Sequence, residues 1–351
     1  MKRVLITGLS TYWGCRLAQV LERDDAIEAV IGVSPDDPTL ELHRTEFVRV
    51  GTQHALLRRI VHAAEIDTVV DTRLVVDSAG ASPRTAHEQN VIGTMNILAA
   101  CGGPDSPVTK VVFKSSAHYY GCHQDDPSFF TEDMSRPHPP QTRLESDIVE
   151  ADDAVQGFAQ RNPAVTVTTL RFCNGLGPDL RTTHSALLSL PAVPGILGFD
   201  PRYQFIHEDD IVGALAHAVT DDLPGVHNAA PDGVLVLSEV ASLLGKPFAP
   251  LLPPWGTGLA AAALRPLGLR IPEEVLRQLR FGRGLDNRKL KRAGYRFALT
   301  TREAVQAYAA ALRLAPLRES AGAPYRYERE VEEFLRRSPL VRREGDGASN
   351  P

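Results

Sequence analysis

The stretch VLITGLSTYWG, residues 4–14, is the strongest local signal in the chain: a short apolar strand, a glycine-bearing turn and the start of a helix. Such a junction presents backbone N–H groups and the positive end of a helix dipole to a pyrophosphate. Gly8 permits a tight turn, and Gly14 permits close packing of the helix. Thr11 stands at the middle position, where its β-carbon crowds the approach of phosphates. We predict phosphate contacts from Gly8, Ser10, Thr11, Tyr12, Trp13 and Gly14.

Outward from this turn, the first half of the chain alternates short β-rich runs with longer helical patterns. This alternation is typical of a parallel sheet with helices on both faces, so we predict a Rossmann-type doubly wound α/β fold. Its ligand is expected at the carboxyl ends of the strands. The predicted strands cover residues 4–7, 28–33, 47–50, 68–71, 108–113 and 165–170, and the clearest helices cover 14–22, 55–64 and 86–100.

After Arg171 the elements become shorter and are separated by joints rich in proline and glycine. We interpret this part as a smaller C-terminal substrate lobe that supplies one wall of a cleft. The predicted division is a dinucleotide-binding domain over 1–171, a substrate lobe interleaved with the core over 172–313, and a charged, partly disordered tail over 314–351. Within the tail, residues 327–337 have the pattern of a docked helix.

The composition is that of a globular protein with a small-molecule ligand: 351 residues, 43% hydrophobic, 23% charged, with a net charge of -5. This charge gives no overall positive field of the kind that holds nucleic acid. The four cysteines show no C-x-x-C pairing, and no spacing matches a metal site well. The amino-terminal apolar run is too short for a signal peptide, and no run approaches the roughly 18 residues of a membrane span. We expect a cytoplasmic protein without metal, nucleic-acid or membrane partners.

Six segments, in one order along the chain, resemble the motifs of a single family. They are T-G-x-x-G-x-x-G at 7–14, N-V-x-G-T at 90–94, S-S-x-x-x-Y-G at 115–121, R-x-x-N-x-x-G-P at 171–178, F-x-H-x-x-D at 205–210, and G-Y-x-x-x-x-T-T-x-E-A at 294–304. The chain resembles the extended short-chain dehydrogenase/reductases, specifically the NAD-dependent epimerase/dehydratase family, with its UDP-glucose 4-epimerase-like members in actinobacteria.

This resemblance implies a bound NAD, a nucleotide or sugar-nucleotide ligand and a homodimer formed through the long helices beside the sheet. It implies that Ser116 is the catalytic serine, that Asn90 is among the cofactor contacts and that Asn174 lies near the sugar-nucleotide phosphates. A hydrogen bond that holds the end of a strand is the alternative role of Ser116.

The family's Tyr-x-x-x-Lys pair, in which lysine lowers the pKa of the proton-exchanging tyrosine, is absent. None of the eight tyrosines is followed four residues later by lysine. Counting back from Arg171 by the family's spacing places the missing residues near Leu144 and Ile148, or at Pro139 and Arg143 in a shifted register. Without a tyrosine partner, Ser116 has no proton to relay.

The cofactor positions depart from the family as well. The acidic residue that would bind the adenosine ribose falls at Ser34, and a second acidic position falls at Gly51. No arginine follows Ser34 closely, which favours NAD while not excluding NADP. Where the family ends its fourth strand with small residues, this chain has Arg73, which either pairs with a phosphate or fills the pocket.

Two histidines near these motifs were candidates for chemistry. His118 is the best candidate for a relocated acid or base, because an ordinary imidazole titrates near neutral pH. The alternative is a partly exposed loop histidine with no chemical role. His207 and the acidic residues after it precede an apolar helix, and we interpret them as its amino-terminal cap.

Three functions follow from these patterns. The first is an enzyme that acts on a nucleotide-sugar-like substrate by hydride transfer to NAD with a relocated base. The second is a catalytically inactive relative that senses NAD(H) or binds a partner protein. The third is a binding module whose emptied dinucleotide cleft holds another ligand.

Overall fold

A computed structural model describes residues 1–51, 53–255 and 271–321 of the chain, with side chains up to residue 314. The helix predicted over 327–337 and most of the predicted tail lie outside the described residues. No helix within the described ranges is long and apolar enough to cross a membrane.

Seven parallel strands form the central sheet, in the order β11-β6-β5-β4-β1-β2-β3. The six predicted strands are all present, and the predicted doubly wound α/β fold is confirmed. β5 and β6 extend beyond the predicted ends to Ser116 and Phe172, which carries these two residues to the carboxyl edge of the sheet. The sheet strands are β1 (Lys2–Thr7), β2 (Ile27–Ser34), β3 (Thr45–Arg49), β4 (Thr68–Asp71), β5 (Lys110–Ser116), β6 (Thr166–Phe172) and β11 (Gly225–Ala229).

Helices cover both faces because successive strand residues point to opposite sides of the sheet. Val4 and Ile6 pack with one set of helical residues, among them Leu17 and Ile211, whereas Leu5 packs with another. The first face is covered by α1 (Tyr12–Leu21) and α7 (Glu208–Thr220). The second is covered by α2 (His54–Ala63), α4 (Gly93–Cys101) and α5 (Arg143–Arg161).

The helix predicted over 86–100 is three pieces. A short helix α3 (Pro83–His87) runs into a π-helical turn over Glu88–Ile92 and then into α4. The predicted helix is therefore confirmed over its whole length, with a π-helical turn in its middle that the pattern did not indicate. α4 exposes Ile92 at its start and Met95, but the homodimer stays a prediction.

The chain after Phe172 builds a third apolar cluster and also returns to the sheet. β11 pairs with β6, and α7 packs against α1. The elements of this part are β7 (Asn174–Leu176), α6 (Thr183–Ser189), β8 (Val193–Ile196), β9 (Arg202–Tyr203), β10 (Phe205–His207), β12 (Leu235–Val236), α8 (Leu237–Leu243), β13 (Phe248–Leu252), α9 (Glu273–Phe281), α10 (Arg288–Arg292) and α11 (Thr301–Ala321).

Candidate functional site

The turn between β1 and α1 has the predicted backbone geometry. Gly8 has a φ of +82°, in the region that favours glycine. A β-carbon on Gly14 would lie 2.3 Å from the carbonyl oxygen of Gly8 and 2.9 Å from the Cα of Leu9. Both predicted roles, the tight turn at Gly8 and the close packing at Gly14, are therefore confirmed.

Thr11, at the middle position of the motif, is the N-cap of α1. Its hydroxyl donates to the carbonyl oxygen of Gly8 over 2.7 Å and accepts from the N–H of Gly14 over 3.1 Å. The N–H groups of Ser10, Tyr12 and Trp13 donate to no protein group in the described part of the chain. Because these donors surround the positive end of a helix, the turn fits a pyrophosphate.

The side chains of Tyr12 and Trp13 have different surroundings. The hydroxyl of Tyr12 lies beside the carboxyl of Glu208, and burial together with this carboxylate raises the tyrosine pKa. The indole of Trp13 instead lines a cavity next to the turn.

Ser34 ends β2 as a buried residue whose hydroxyl shares a hydrogen bond with that of Ser10. A ribose at this position would meet a hydroxyl group instead of a carboxylate. Arg49 stands directly opposite Ser34 in the β2–β3 register, and its guanidinium pairs with Asp37. An arginine close to Ser34 was missed in the sequence because it arrives on the neighbouring strand.

Arg73 is buried and fills space beside the turn. Its Nε and Nη2 donate to the two carboxylate oxygens of Asp71 over 2.9 and 2.8 Å. Its Cγ lies 2.4 Å from where a β-carbon of Gly8 would be, and its Nη1 lies 2.3 Å from the corresponding point at Gly93. Arg73 therefore pairs with Asp71 and packs between Gly8 and Gly93, and both predicted alternatives, a phosphate contact and a filled cofactor pocket, stay predictions.

Asn90 clamps the loop that follows β4. Its Oδ1 accepts from the N–H of Val75 over 2.7 Å, and its Nδ2 donates to the carbonyl of Val75 over 2.9 Å. Both ends of the amide are engaged, so the structure gives Asn90 a backbone-holding role. A direct contact with the cofactor stays a prediction.

A cavity of about 510 Å³ opens beside the turn, at the carboxyl ends of β5 and β6. Trp13 and Phe172 supply apolar walls, and Ser116 lies at the end of β5. The far wall comes from the loop after β4 and from residues beyond β7. Its other charged and polar lining groups include Asp77, Lys114, Arg181 and Thr182.

Lys114 is the cavity residue that the sequence analysis missed. Its side chain is 3% exposed, and its Nζ lies 5.2 Å from the centre of the Trp13 ring and 5.9 Å from that of Phe172. Burial lowers the lysine pKa to about 8, although the nearby Asp71 acts in the opposite direction. The signal that was available is its position, two residues before Ser116 on one strand and hence on the same face.

Ser116 lines the cavity, whereas the side chain of His118 is not among the lining residues. The Ser116 hydroxyl accepts from the N–H of His118 over 3.2 Å, so its role in holding the strand end is real. The imidazole of His118 is buried, and its Nε2 lies 3.5 Å from the Nε2 of Gln278. Desolvation and nearby cationic groups lower the pKa of His118 well below the usual value. The expected partial exposure of this histidine is wrong, because the residue is only 7% exposed, and its role as an acid or base stays a prediction.

A model of the NAD dependent epimerase/dehydratase family matches residues 4–230. The chain belongs to this family. Uncharacterized proteins of Mycobacterium tuberculosis and Mycobacterium bovis are each 33% identical to it over 328 residues, which cover 90% of this chain and 85% of theirs.

Solved structures of the epimerase/dehydratase fold resemble it as well. UDP-glucose 4-epimerase of Thermotoga maritima, solved with UDP-glucose, has a TM-score of 0.67 at 18% identity and covers 89% of this chain and 99% of its own. The dTDP-glucose 4,6-dehydratase of Bacillus anthracis, solved with NAD, has a TM-score of 0.65 at 17% identity and covers 89% and 97%.

The two registers expected for the tyrosine and lysine of this epimerase/dehydratase family place them in different surroundings. Leu144 and Ile148 lie on α5 and pack in the cluster on the second face of the sheet. In the shifted register, Pro139 and Arg143 are exposed. Neither register places a proton-exchanging group on this helix.

α5 contributes a buried ion pair instead. Asp152 accepts from Arg171 through both carboxylate oxygens, over 3.1 and 2.7 Å, and also from the hydroxyl of Ser115 over 2.6 Å. The guanidinium of Arg171 lies 3.4 Å from the ring centre of Tyr119. Ser115 and Arg171 both belong to quoted motifs, so this pair holds the motif-bearing ends of β5 and β6 together.

Two further predictions concern the chain after β6. Asn174 is half-buried in β7, between two residues that line the cavity, but its own side chain is not among the lining residues. The predicted cap of α7 is confirmed: three acidic residues occupy its first turn, while His207 is the N-cap residue and accepts from the N–H of Asp209.

One cluster of potential metal ligands exists in the described part of the chain, although sequence spacing did not indicate it. Asp125, Asp126 and His138 bring ligand atoms within 4.8 Å of one another. His138 Nε2 lies 2.9 Å from Asp125 Oδ1 and 3.8 Å from Asp126 Oδ1. An ordinary hydrogen bond between imidazole and carboxylate explains this geometry, and we assign no metal to it.

Proposed function

We propose that this protein binds NAD(H) and transfers hydride to and from a hydroxyl-bearing carbon of a nucleotide-sugar-like substrate. The observation that carries the proposal is the cavity of about 510 Å³ that joins Trp13 of the phosphate turn to Ser116 at the end of β5. Similar structures solved with UDP-glucose and with NAD support this assignment. The volume falls within the range of small-molecule sites.

The residues beside the cavity fit a dinucleotide at the phosphate end. The free N–H groups at the start of α1 would hold the pyrophosphate, and Ser34 would meet the adenosine ribose. Bound NAD would supply a hydride acceptor at the cavity end of the cleft. Arg73 is the obstacle to this fit, because its side chain lies between Gly8 and Gly93.

The cavity-lining residues would orient the substrate and keep water away. Trp13 and Phe172 give apolar surfaces for a ring, and the Ser116 hydroxyl is free to donate to a substrate oxygen while it accepts from His118. Arg181 would attract the phosphates of a nucleotide to the cavity. Ser116 and Asn174 keep the roles implied by the family as proposals.

The first experiment measures cofactor binding through Trp13. Trp255, the other tryptophan, is 86% exposed, so Trp255→Phe leaves one reporter without disturbing the core. We expect saturable energy transfer from Trp13 to NADH. NADPH is titrated in parallel, because Arg49 stands opposite Ser34. Absence of transfer with both cofactors at millimolar concentration would contradict the proposal.

The second experiment measures hydride transfer with a panel of nucleotide sugars, UDP-glucose and dTDP-glucose first. Single-turnover absorbance of NADH at limiting cofactor detects transfer even when the product is reoxidised. Loss of the signal in Ser116→Ala, with NADH binding retained, is the expected result. Cofactor binding without transfer to any member of the panel would contradict the enzymatic proposal.

A second candidate is a catalytically inactive NAD(H) sensor. It is favoured by one observation: Leu144 and Ile148 are packed in the apolar core where the family carries its catalytic pair. The discriminating measurement is affinity capture with and without NADH, followed by a binding isotherm for the captured partner. A partner affinity that changes with NADH, together with no hydride transfer, would support the sensor.

A further inference from the structure

Within the described residues, the buried side chain of Lys114 has no anionic partner. In the described structure its ammonium makes no ion pair and no hydrogen bond, although it lines the same cavity as Ser116. Lys110 lies four residues earlier on β5 and is also 3% exposed. Its Nζ, by contrast, donates to the carbonyls of Val219 and Asp221 and pairs with Asp222 over 2.9 Å. Hydrogen bonds and an ion pair therefore balance the buried charge of Lys110, whereas no such contact balances that of Lys114 further along the same strand.

We propose that Lys114 exchanges a proton with the substrate hydroxyl, the task that the absent Tyr-x-x-x-Lys pair performs in the family. The inference rests on the proposed function. Lys114 and Ser116 point to the same face of β5, so both reach one substrate oxygen at the end of this strand. No other lysine lines the cavity, since the remaining described lysines are Lys2, Lys110, Lys246, Lys289 and Lys291.

The surroundings favour an amine that is easily deprotonated. The rings of Trp13 and Phe172 attract the charged form weakly, but they exclude the water that would solvate it. The charged groups that face Lys114 are already engaged or lie at the cavity wall. Asp71 on β4 is bound by Arg73, and Asp77 accepts from the N–H and hydroxyl of Thr183 over 2.6 and 2.8 Å. Arg181, from the segment after β7, adds a positive charge to the wall.

The proposed step balances with oxidised NAD as the electron acceptor. The substrate alcohol loses its hydroxyl proton to the neutral amine of Lys114. Bound oxidised NAD would accept the carbon-bound hydrogen with both of its electrons, which would leave a carbonyl on the substrate. The ammonium of Lys114 returns the proton when hydride comes back to the carbonyl carbon. Ser116 donates a hydrogen bond to the same oxygen throughout.

NMR of the reductively dimethylated protein tests this role without a known substrate. The chain has six lysines, so ¹³C-methyl groups give few signals. Lys114→Arg identifies the Lys114 signal, and Lys110→Arg identifies its paired neighbour on the same strand. The measurement follows both signals from pH 6 to 11 with the cofactor absent, with NAD and with NADH, while Trp13 energy transfer reports whether NADH binds.

We expect the Lys114 signal to titrate near pH 8, well below the 10.5 of an ordinary lysine. Saturating NAD should lower this midpoint further, because its cationic ring disfavours a second positive charge nearby, and NADH should lower it less. The Lys110 signal should respond to neither.

Two results would overturn the inference while leaving cofactor binding intact: titration of Lys114 in the ordinary lysine range, or a midpoint that NAD and NADH leave unchanged although Trp13 reports binding. Absence of NADH binding to the parent protein overturns the proposed function, and the proton-exchange role of Lys114 falls with it. The Trp13 and Lys114 signals thus separate the two failures.

Discussion

The phosphate turn and helix α5 correspond to the cofactor-binding and the proton-exchanging parts of the family's site. The two regions of this chain depart from the family's pattern in different ways. The turn keeps its geometry at Gly8 and Gly14 although neighbouring side chains have changed. On α5, Leu144 and Ile148, the positions expected for the tyrosine and lysine in one of two registers, lie in the core. A phosphate is held by backbone N–H groups, so binding survives changes of side chain. Proton exchange depends on particular side chains, and a leucine and an isoleucine supply none.

The largest effect is expected when the family pair is put back on α5. Leu144→Tyr with Ile148→Lys places a phenol and an ammonium in an apolar cluster where Ile148 is fully buried. We expect a loss of about 4 kcal/mol or more in the free energy of unfolding, and no gain of hydride transfer. Urea denaturation measures the first and NADH absorbance the second. A gain of hydride transfer over the parent in a stable protein would show that α5 still faces the site.

The second prediction concerns the turn. Gly14→Ala places a β-carbon against the backbone of Gly8 and Leu9, which cannot yield, so we expect destabilisation of roughly 2 to 4 kcal/mol and loss of the Trp13 signal with NADH. Gly80→Ala is the matched control, because the nearest atom to its new β-carbon is a carbonyl oxygen 3.9 Å away. Equal behaviour of the two variants would mean that close packing at Gly14 is not required.

The third prediction uses the two lysines of β5. Lys114→Met should stabilise the protein at pH 7 by roughly 1 to 3 kcal/mol, since it removes an uncompensated buried charge. The folded-state pKa of Lys114, about 8, lies below the 10.5 of an ordinary lysine. The unfolded state therefore binds more protons between these values, and the parent gains stability as pH rises through that window.

The stabilisation by Lys114→Met should consequently shrink from pH 8 to pH 10.5. Lys110→Met is the control, and we expect it to destabilise the protein because two carbonyls and Asp222 lose their donor. Denaturant midpoints of the parent and of both variants, measured across this pH range, test these two expectations. A pH-independent difference between parent and Lys114→Met would be evidence against a depressed pKa.

The smallest effect is expected at Arg73. The double variant Asp71→Asn with Arg73→Ala clears the space between Gly8 and Gly93 without leaving a buried charge alone, and NADH affinity should rise by up to about tenfold. Arg73→Ala alone should unfold more readily, because Asp71 loses its partner. Weaker NADH binding in the stable double variant would show that Arg73 contributes to cofactor binding instead of obstructing it.

Much of the fold was predictable because its signals are local. The apolar run before Gly8, the glycine spacing and the alternation of β-rich and helical segments are fixed by backbone geometry over a few residues. The six predicted strands are accordingly present, with ends that differ by a few residues. The predicted helix over 86–100 is present too, but its π-helical turn at Glu88–Ile92, where Asn90 binds Val75 fifteen positions away, was not predicted. Such a contact has no local pattern.

The sequence by itself determined the family, the phosphate turn and the absence of a Tyr-x-x-x-Lys pair, because each is a matter of residue type at a short spacing. Only the tertiary structure decided the environments of single side chains. It buried His118 away from the cavity, paired Arg73 with Asp71 and left Lys114 between the rings of Trp13 and Phe172. These environments depend on residues that arrive from distant parts of the chain, and so does the chemistry that they allow.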